Sequence, residues 1–151
     1  MKIRKNMLPV LRPQGGNEEV KALKEVIESG WWGKGPKVAQ FEKEFAEMVG
    51  AKYAIAVTSN SHGQDLVMKA LDIRDGDVIN PTISFMATAM IPLWQPNVTT
   101  NIVDVDPITM CLDPEDVRKS ITPNTKAIIA VNQAGVPAPI KEIREFYDGL
   151  I

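Results

Sequence analysis

Four short apolar runs, each bounded by turn residues and separated from the next by a stretch of helical period, leave this chain few ways to fold. The runs at 53–57, 78–79, 101–105 and 127–131 are too short for helices and apolar on consecutive residues, as strands buried on both faces are. Between them, residues 61–71, 85–93, 113–120 and 139–147 carry helical patterns suited to crossovers. Asp113-Pro-Glu-Asp116 is the strongest helix start, combining a cap, a fixed φ and acidic residues at the positive end of the dipole. This alternation implies an α/β fold in three layers around a mostly parallel sheet.

Two helices precede the first run. Residues 17–29 place Val20, Leu23, Val26 and Ile27 on one face, with Asn17 as the expected N-cap and Gly30 as the stop. Pro36 suits a first helical turn, after which Val38, Phe41, Phe45, Met48 and Val49 recur at helical spacing until Gly50. Residues 1–16 read as an extended arm, and 17–151 as one domain or part of one. No repeat, low-complexity tract or Gly/Ser-rich linker divides the chain.

Composition narrows the partners. With 44% apolar and 24% charged residues and a formal charge of -2, the chain has an ordinary core and no basic field, which argues against nucleic acid or an anionic membrane. One cysteine, Cys111, gives no internal disulfide, and one histidine, His62, gives no credible zinc or iron ligand set. The start is basic, but Pro9 and Arg12 interrupt the apolar stretch behind it, so no signal peptide or membrane span is expected and the cytoplasm is the default compartment.

Thr58-Ser59-Asn60-Ser61 follows a strand-like run and opens a helix pattern, so free N–H groups, hydroxyls and the helix dipole favour a phosphate there. Ser and Asn are also preferred caps, and taken alone capping is the commoner reason for this pattern. His62 either adds a donor to the same anion or is a solvated surface residue. Phe85, among Ser84, Ala87, Thr88 and Ala89, either stacks on a flat cofactor ring or fills the core. Trp31 and Trp32, between Gly30 and Gly33, suit a binding loop or a subunit contact. Asn132 and Gln133 follow the last run, where open α/β sheets place ligands, although turn chemistry explains Asn132 as well. Asp104, Asp106 and Asp113 read as strand end, turn and cap.

The series Gly30-Trp31 with Gly35-Pro36, Phe41-Glu-Lys-Glu-Phe45, Val49-Gly-Ala-Lys-Tyr-Ala54, Pro81 to Ala89, Val103-Asp-Val-Asp-Pro107, Ile121-Thr-Pro-Asn-Thr-Lys-Ala127 and Gly135-Val-Pro137 resembles the DegT/DnrJ/StrS family of pyridoxal-phosphate-dependent sugar aminotransferases. The resemblance implies a partial large domain like that of fold-type-I pyridoxal-phosphate transferases. It implies that Ser59, Asn60, Ser61 and His62 bind the cofactor phosphate, Phe85 stacks on the pyridine ring, Asn132 stands where a histidine near the ring is usual, and Trp31-Trp32 lies on the substrate side of a site built between two subunits. No catalytic residue is implied within the chain. The family's ring-nitrogen aspartate and Schiff-base lysine belong to later segments than Gly149-Leu-Ile151, so the expectation is an N-terminal fragment, inactive alone, of an enzyme using a nucleotide-linked keto sugar and an amino-acid donor. A related deoxysugar dehydratase, with histidine in place of the lysine, is the alternative parent. A non-catalytic partner of a full-length relative is the alternative from another class, with a homodimer or a complementing C-terminal chain as the assembly. Two departures stand out. The family's Ser-Gly-Thr-Ala turn is Ser59-Asn60-Ser61-His62 here, and Gly76-Asp-Val-Ile-Asn-Pro81 is one residue short, which flips strand faces unless the deletion is absorbed nearby. The sheet's first strand, 53–57, would also lack its usual neighbour.

Overall fold

The computed structural model describes residues 11–151, which fall into two compact units dividing after Ala56. Most of the expected N-terminal arm lies outside the described residues; residues 11–16 are exposed and carry no regular structure.

The first unit contains α1 (Asn17–Ser29) and α2 (Pro36–Val49). Both stop at glycines in the left-handed region, Gly30 at φ 72° and Gly50 at φ 68°, a conformation that disfavours residues bearing a Cβ. The N-cap of α1 is Gly16 rather than Asn17. The Glu19 carboxylate, at the third helical position, reaches back to accept the Gly16 N–H at 2.6 Å, which satisfies the donor of the cap residue itself. Hydrogen bonds from its own backbone N–H and then from that of Gly16 lower the Glu19 pKa from its ordinary value. α1 buries no residue and α2 only Ala46. The unit closes with an extended segment that Glu42 tethers by accepting the Ala56 N–H at 2.9 Å.

Residues 53–57 were expected as a strand and form none. Tyr53 and Ile55 are each 74% exposed. A strand exists only by pairing, and among the described residues these backbone groups have no ladder partner, so high β propensity alone leaves them extended but unpaired.

The second unit, Val57–Ile151, is built on a parallel sheet in the order β2-β1-β3, from β1 (Gly76–Pro81), β2 (Val98–Val103) and β3 (Thr125–Ile128). Successive residues of β1 feed opposite faces. Val78 joins Met68, Ile73, Ile91, Val98 and Ala127 beneath α3 (Asn60–Ala70) and α4 (Met86–Met90). Ile79 joins Val103, Leu112, Val117, Ile128, Ile143 and Tyr147 beneath α5 (Pro114–Ser120) and α6 (Ile140–Arg144). This is the expected three-layer α/β arrangement, with both sheet faces covered. α5 starts as read, with Asp113 accepting the Glu115 N–H at 2.8 Å.

The β1–β3 pairing carries one irregularity. Asp77 pairs with Thr125 but Val78 pairs with Ala127, so Lys126 is the extra residue of a bulge and the inward alternation resumes beyond it. Gly76 sits against that bulge at φ 89°, where a Cβ would lie 2.3 Å from the Asn124 carbonyl oxygen. On the far side of β3, Leu150 makes a parallel bridge with Ala127 and accepts the Ile128 N–H at 2.9 Å.

Candidate cofactor site

Ser59 is the N-cap of α3, with extended backbone (φ -162°, ψ 163°) and a hydroxyl that accepts the His62 N–H at 3.3 Å. The N–H groups of Asn60 and Ser61 have no acceptor inside the helix and open at its positive end, which is the arrangement an anion meets at a helix start. Asn60 replaces a glycine of the resembled pattern without backbone strain, since it is helical and absent from the positive-φ residues. Its side chain runs along the helix, where Oδ1 accepts from Gln64 Nε2 at 2.7 Å, and so leaves the helix mouth uncovered.

The His62 ring folds back over the turn. Its Nδ1 lies 2.9 Å from Ser59 Oγ and 3.0 Å from Thr58 Oγ1. Thr58, expected only as a turn residue, is thus part of a three-residue polar group with Ser59 and His62. One turn further on, Asp65 accepts from Lys69 Nζ at 2.7 Å and Gln95 Nε2 at 2.9 Å, and these bonds, Lys69 first, hold its pKa below the usual aspartate value. Gln95 is buried, a polar anchor that apolar periodicity does not reveal. Beside α3 a cavity of about 440 Å³ runs along β3, lined by Val57, Gly63, Gln64, Val67, Ile129 and Ile151. Gln64 Oε1 is buried there without a hydrogen-bond partner.

Phe85 is the residue before α4 and 77% exposed, so it is not a core phenylalanine and its ring faces are open. Asn132 is exposed, and its Oδ1 accepts the Ala138 N–H at 2.9 Å, which closes the 132–138 loop and leaves the amide N–H groups as donors. Phe85 and Asn132 follow the carboxyl ends of β1 and β3, neighbouring parallel strands, so both leave the same edge of the sheet. Among the described residues no hydrogen bond joins either of them to the Ser59 turn. Trp31 and Trp32 belong to the first unit and are exposed; Trp32 Nε1 donates to the Ile27 carbonyl at 3.3 Å, and Trp31 packs on Gly35, where a Cβ would come within 2.9 Å of its own. Asp106 accepts the N–H groups of Ile108 and Thr109 at 3.0 and 2.7 Å, as a turn residue does, and among the described residues no three acidic, cysteine or histidine side chains group as metal ligands.

The model of the DegT/DnrJ/EryC1/StrS aminotransferase family matches residues 13–149, nearly the whole chain. The chain belongs to this family. Among solved structures it is similar to 3-amino-5-hydroxybenzoic acid synthase (35% identity, TM-score 0.83, 88% of this chain and 35% of that one) and to an aminotransferase from Psychrobacter cryohalolentis (32%, TM-score 0.81, 88% and 34%). It is equally similar to the E. coli GDP-4-keto-6-deoxy-D-mannose-3-dehydratase, solved with bound hydrated pyridoxal phosphate (31%, TM-score 0.84, 91% and 37%). The chain therefore spans little more than a third of the length of these family members, and its fold is part of the large domain of fold-type-I pyridoxal-phosphate enzymes. At the Ser59 turn a cap serine stands beside an open helix start. The donor set fits a phosphate monoester, with a histidine as the added feature.

Proposed function

We propose that this chain carries the phosphate- and ring-holding part of a pyridoxal-phosphate site in an enzyme acting on nucleotide-linked keto sugars. The observation that carries the reading is the Ser59-capped start of α3 in a chain whose family match covers it. Bound pyridoxal phosphate supplies the electron sink for moving an amino group between donor and sugar. The N–H groups of Asn60 and Ser61 and the hydroxyls of Thr58 and Ser59 receive the phosphate, the open face of Phe85 packs on the ring, and the free amide N–H of Asn132 donates to a ring substituent. Trp31 and Trp32 serve the substrate side. None of these side chains is a base of the strength needed to carry the proton transfers, so the part of the site they form binds and orients the cofactor without turning it over. The cytoplasm is the compartment we assign.

Titrating the chain with pyridoxal phosphate, with inorganic phosphate as competitor, tests the site. Saturable binding that phosphate displaces supports it, and binding that phosphate does not displace refutes it. Borohydride reduction tests the second half: scattered sub-stoichiometric labelling is expected, whereas one lysine trapped stoichiometrically overturns the assignment of no turnover. The similarity to a dehydratase supports a second parent reaction on the same cofactor half, loss of a hydroxyl in place of amination.

A reading as the partner of another chain is favoured by the first unit. α1 buries nothing, and Val20, Leu23 and Ile27 are all more than 60% exposed, an apolar face that a second copy or a complementing C-terminal chain would cover. Sedimentation equilibrium decides it, with a dimer or a co-purifying relative expected and a monodisperse monomer counting against it.

A further inference from the structure

We propose that His62 couples phosphate binding to proton uptake, so that a phosphate monoester binds the imidazolium form of this chain more tightly than the neutral form; the inference rests on the phosphate-turn reading above. It starts from two distances, 2.9 Å from Nδ1 to Ser59 Oγ and 3.0 Å to Thr58 Oγ1. A neutral ring with its proton on Nε2 offers one lone pair at Nδ1, and either hydroxyl fills it by donating its only proton. That proton is then unavailable to an anion at the helix mouth.

Protonation from solvent reverses the polarity of both contacts. Nδ1–H becomes a donor to the hydroxyl oxygens, and Ser59 Oγ, which already accepts the His62 N–H, keeps a second lone pair for it. Both hydroxyl protons are released towards the anion, and a positive charge now stands beside the helix N-terminus. The neutral Nε2–H tautomer thus withholds one donor from the phosphate, and imidazolium returns that donor together with a charge.

The surroundings leave the imidazolium little competition. The charged group near His62 is Asp65 on the same helix, and its carboxylate is already engaged by Lys69 and Gln95. The elements packed on α3, namely α4 (Met86–Met90) and the turn Pro92–Trp94, carry no ionisable side chain. Across the cavity the side chains of residues 127–130, Ile140, Leu150 and Ile151 are apolar, and among the described residues the main-chain carboxylate of Ile151 is the one further anionic group there.

His62 is the chain's one histidine, so its ring signal is unambiguous. The probe is pyridoxine 5′-phosphate, which lacks the aldehyde and forms no Schiff base with surface lysines, with pyridoxine as the phosphate-free control. The midpoint of the His62 Cε1–H titration, followed by NMR with and without saturating probe, is expected to rise by about one pH unit, equivalent to tenfold tighter binding by the protonated form. Pyridoxine should leave it unmoved. An unchanged or lowered midpoint, while the Asn60 and Ser61 amide signals do shift, overturns this inference and leaves the phosphate site standing. No shift in those amides overturns both. A second test uses His62→Ala. As the pH falls through the His62 midpoint measured in the NMR titration, the native chain should gain affinity that the variant does not. Full retention of that gain by the variant overturns the proposal.

Discussion

The two units of this chain put similar apolar sequence to opposite uses. In the second, Val78, Ile79, Ile91, Leu112, Val117 and Ile143 are fully buried in the two layers flanking a parallel sheet. In the first, α1 and α2 are as clearly amphipathic in sequence, yet their apolar stripes stay largely open. Periodicity specifies which face of a helix is apolar, and only a neighbouring element turns that face into a core. Stability should therefore reside in Val57–Ile151, with the helical unit contributing surface available for association.

The sharpest way to break this comparison is a matched pair of truncations. Ile79→Ala, at the centre of β1 with no exposure, is expected to cost about 2–5 kcal/mol through lost burial and a residual cavity. Leu23→Ala on α1 should stay within about 0.5 kcal/mol, as exposed substitutions usually do. Urea denaturation measures both, and a Leu23→Ala cost approaching that of Ile79→Ala would mean that the α1 face is covered in solution.

Glycines supply a second pair. Gly76 and Gly50 both have positive φ, at 89° and 68°, but only at Gly76 does a Cβ meet backbone, the Asn124 carbonyl. Gly50→Ala should cost about 1 kcal/mol for the left-handed conformation alone. Gly76→Ala adds displacement of the β1–β3 bulge and should exceed about 2 kcal/mol. Equal costs in thermal melts would show that the bulge at Lys126 yields freely.

Those contrasts also mark what the sequence could reveal. Helix α5 was legible because Asp113 and Pro114 act within one turn, and α2 because Pro36 and Gly50 do. The strands β1 and β3 were legible because burial on both faces demands consecutive apolar residues. Residues 53–57 carry the same signal and form no strand, since pairing depends on a partner that local sequence does not specify. The cap of α1 moved to Gly16 because Glu19 captures its N–H, an interaction the spacing allowed without requiring. At the candidate site, the cap role of Ser59 followed from its residue type, whereas the fold of the His62 ring onto two hydroxyls depends on a side-chain rotamer. The exposure of Phe85 could not be told from burial, because a strand-to-helix junction accommodates either.

Helix caps provide a smaller test. Asp113→Ala removes a cap bond of 2.8 Å and should cost about 1 kcal/mol, read as a fall in the urea midpoint with an unchanged slope. Asn17→Ala should be neutral, because Asn17 lies inside α1 and Gly16 occupies the cap. A cost for Asn17→Ala equal to that for Asp113→Ala would return the cap of α1 to the asparagine.

The smallest expected effect separates the units by pH. Asp65 has its pKa lowered by Lys69 and then Gln95, and the Gln95 bond ties α3 to the turn after α4. A depressed folded-state pKa means that the unfolded chain takes up the proton first as pH falls, so the stabilisation is complete above the ordinary aspartate value of about 4 and drains away below it. Asp65→Asn should thus lower the melting temperature slightly at neutral pH and make no difference once the native carboxylate is protonated. Glu19 is lowered too, by hydrogen bonds at the start of α1, but that helix buries nothing. Glu19→Gln should accordingly fray α1 in amide exchange without moving the main transition at any pH. If it does move that transition, the first unit unfolds together with the second, and its open apolar faces are structural rather than free.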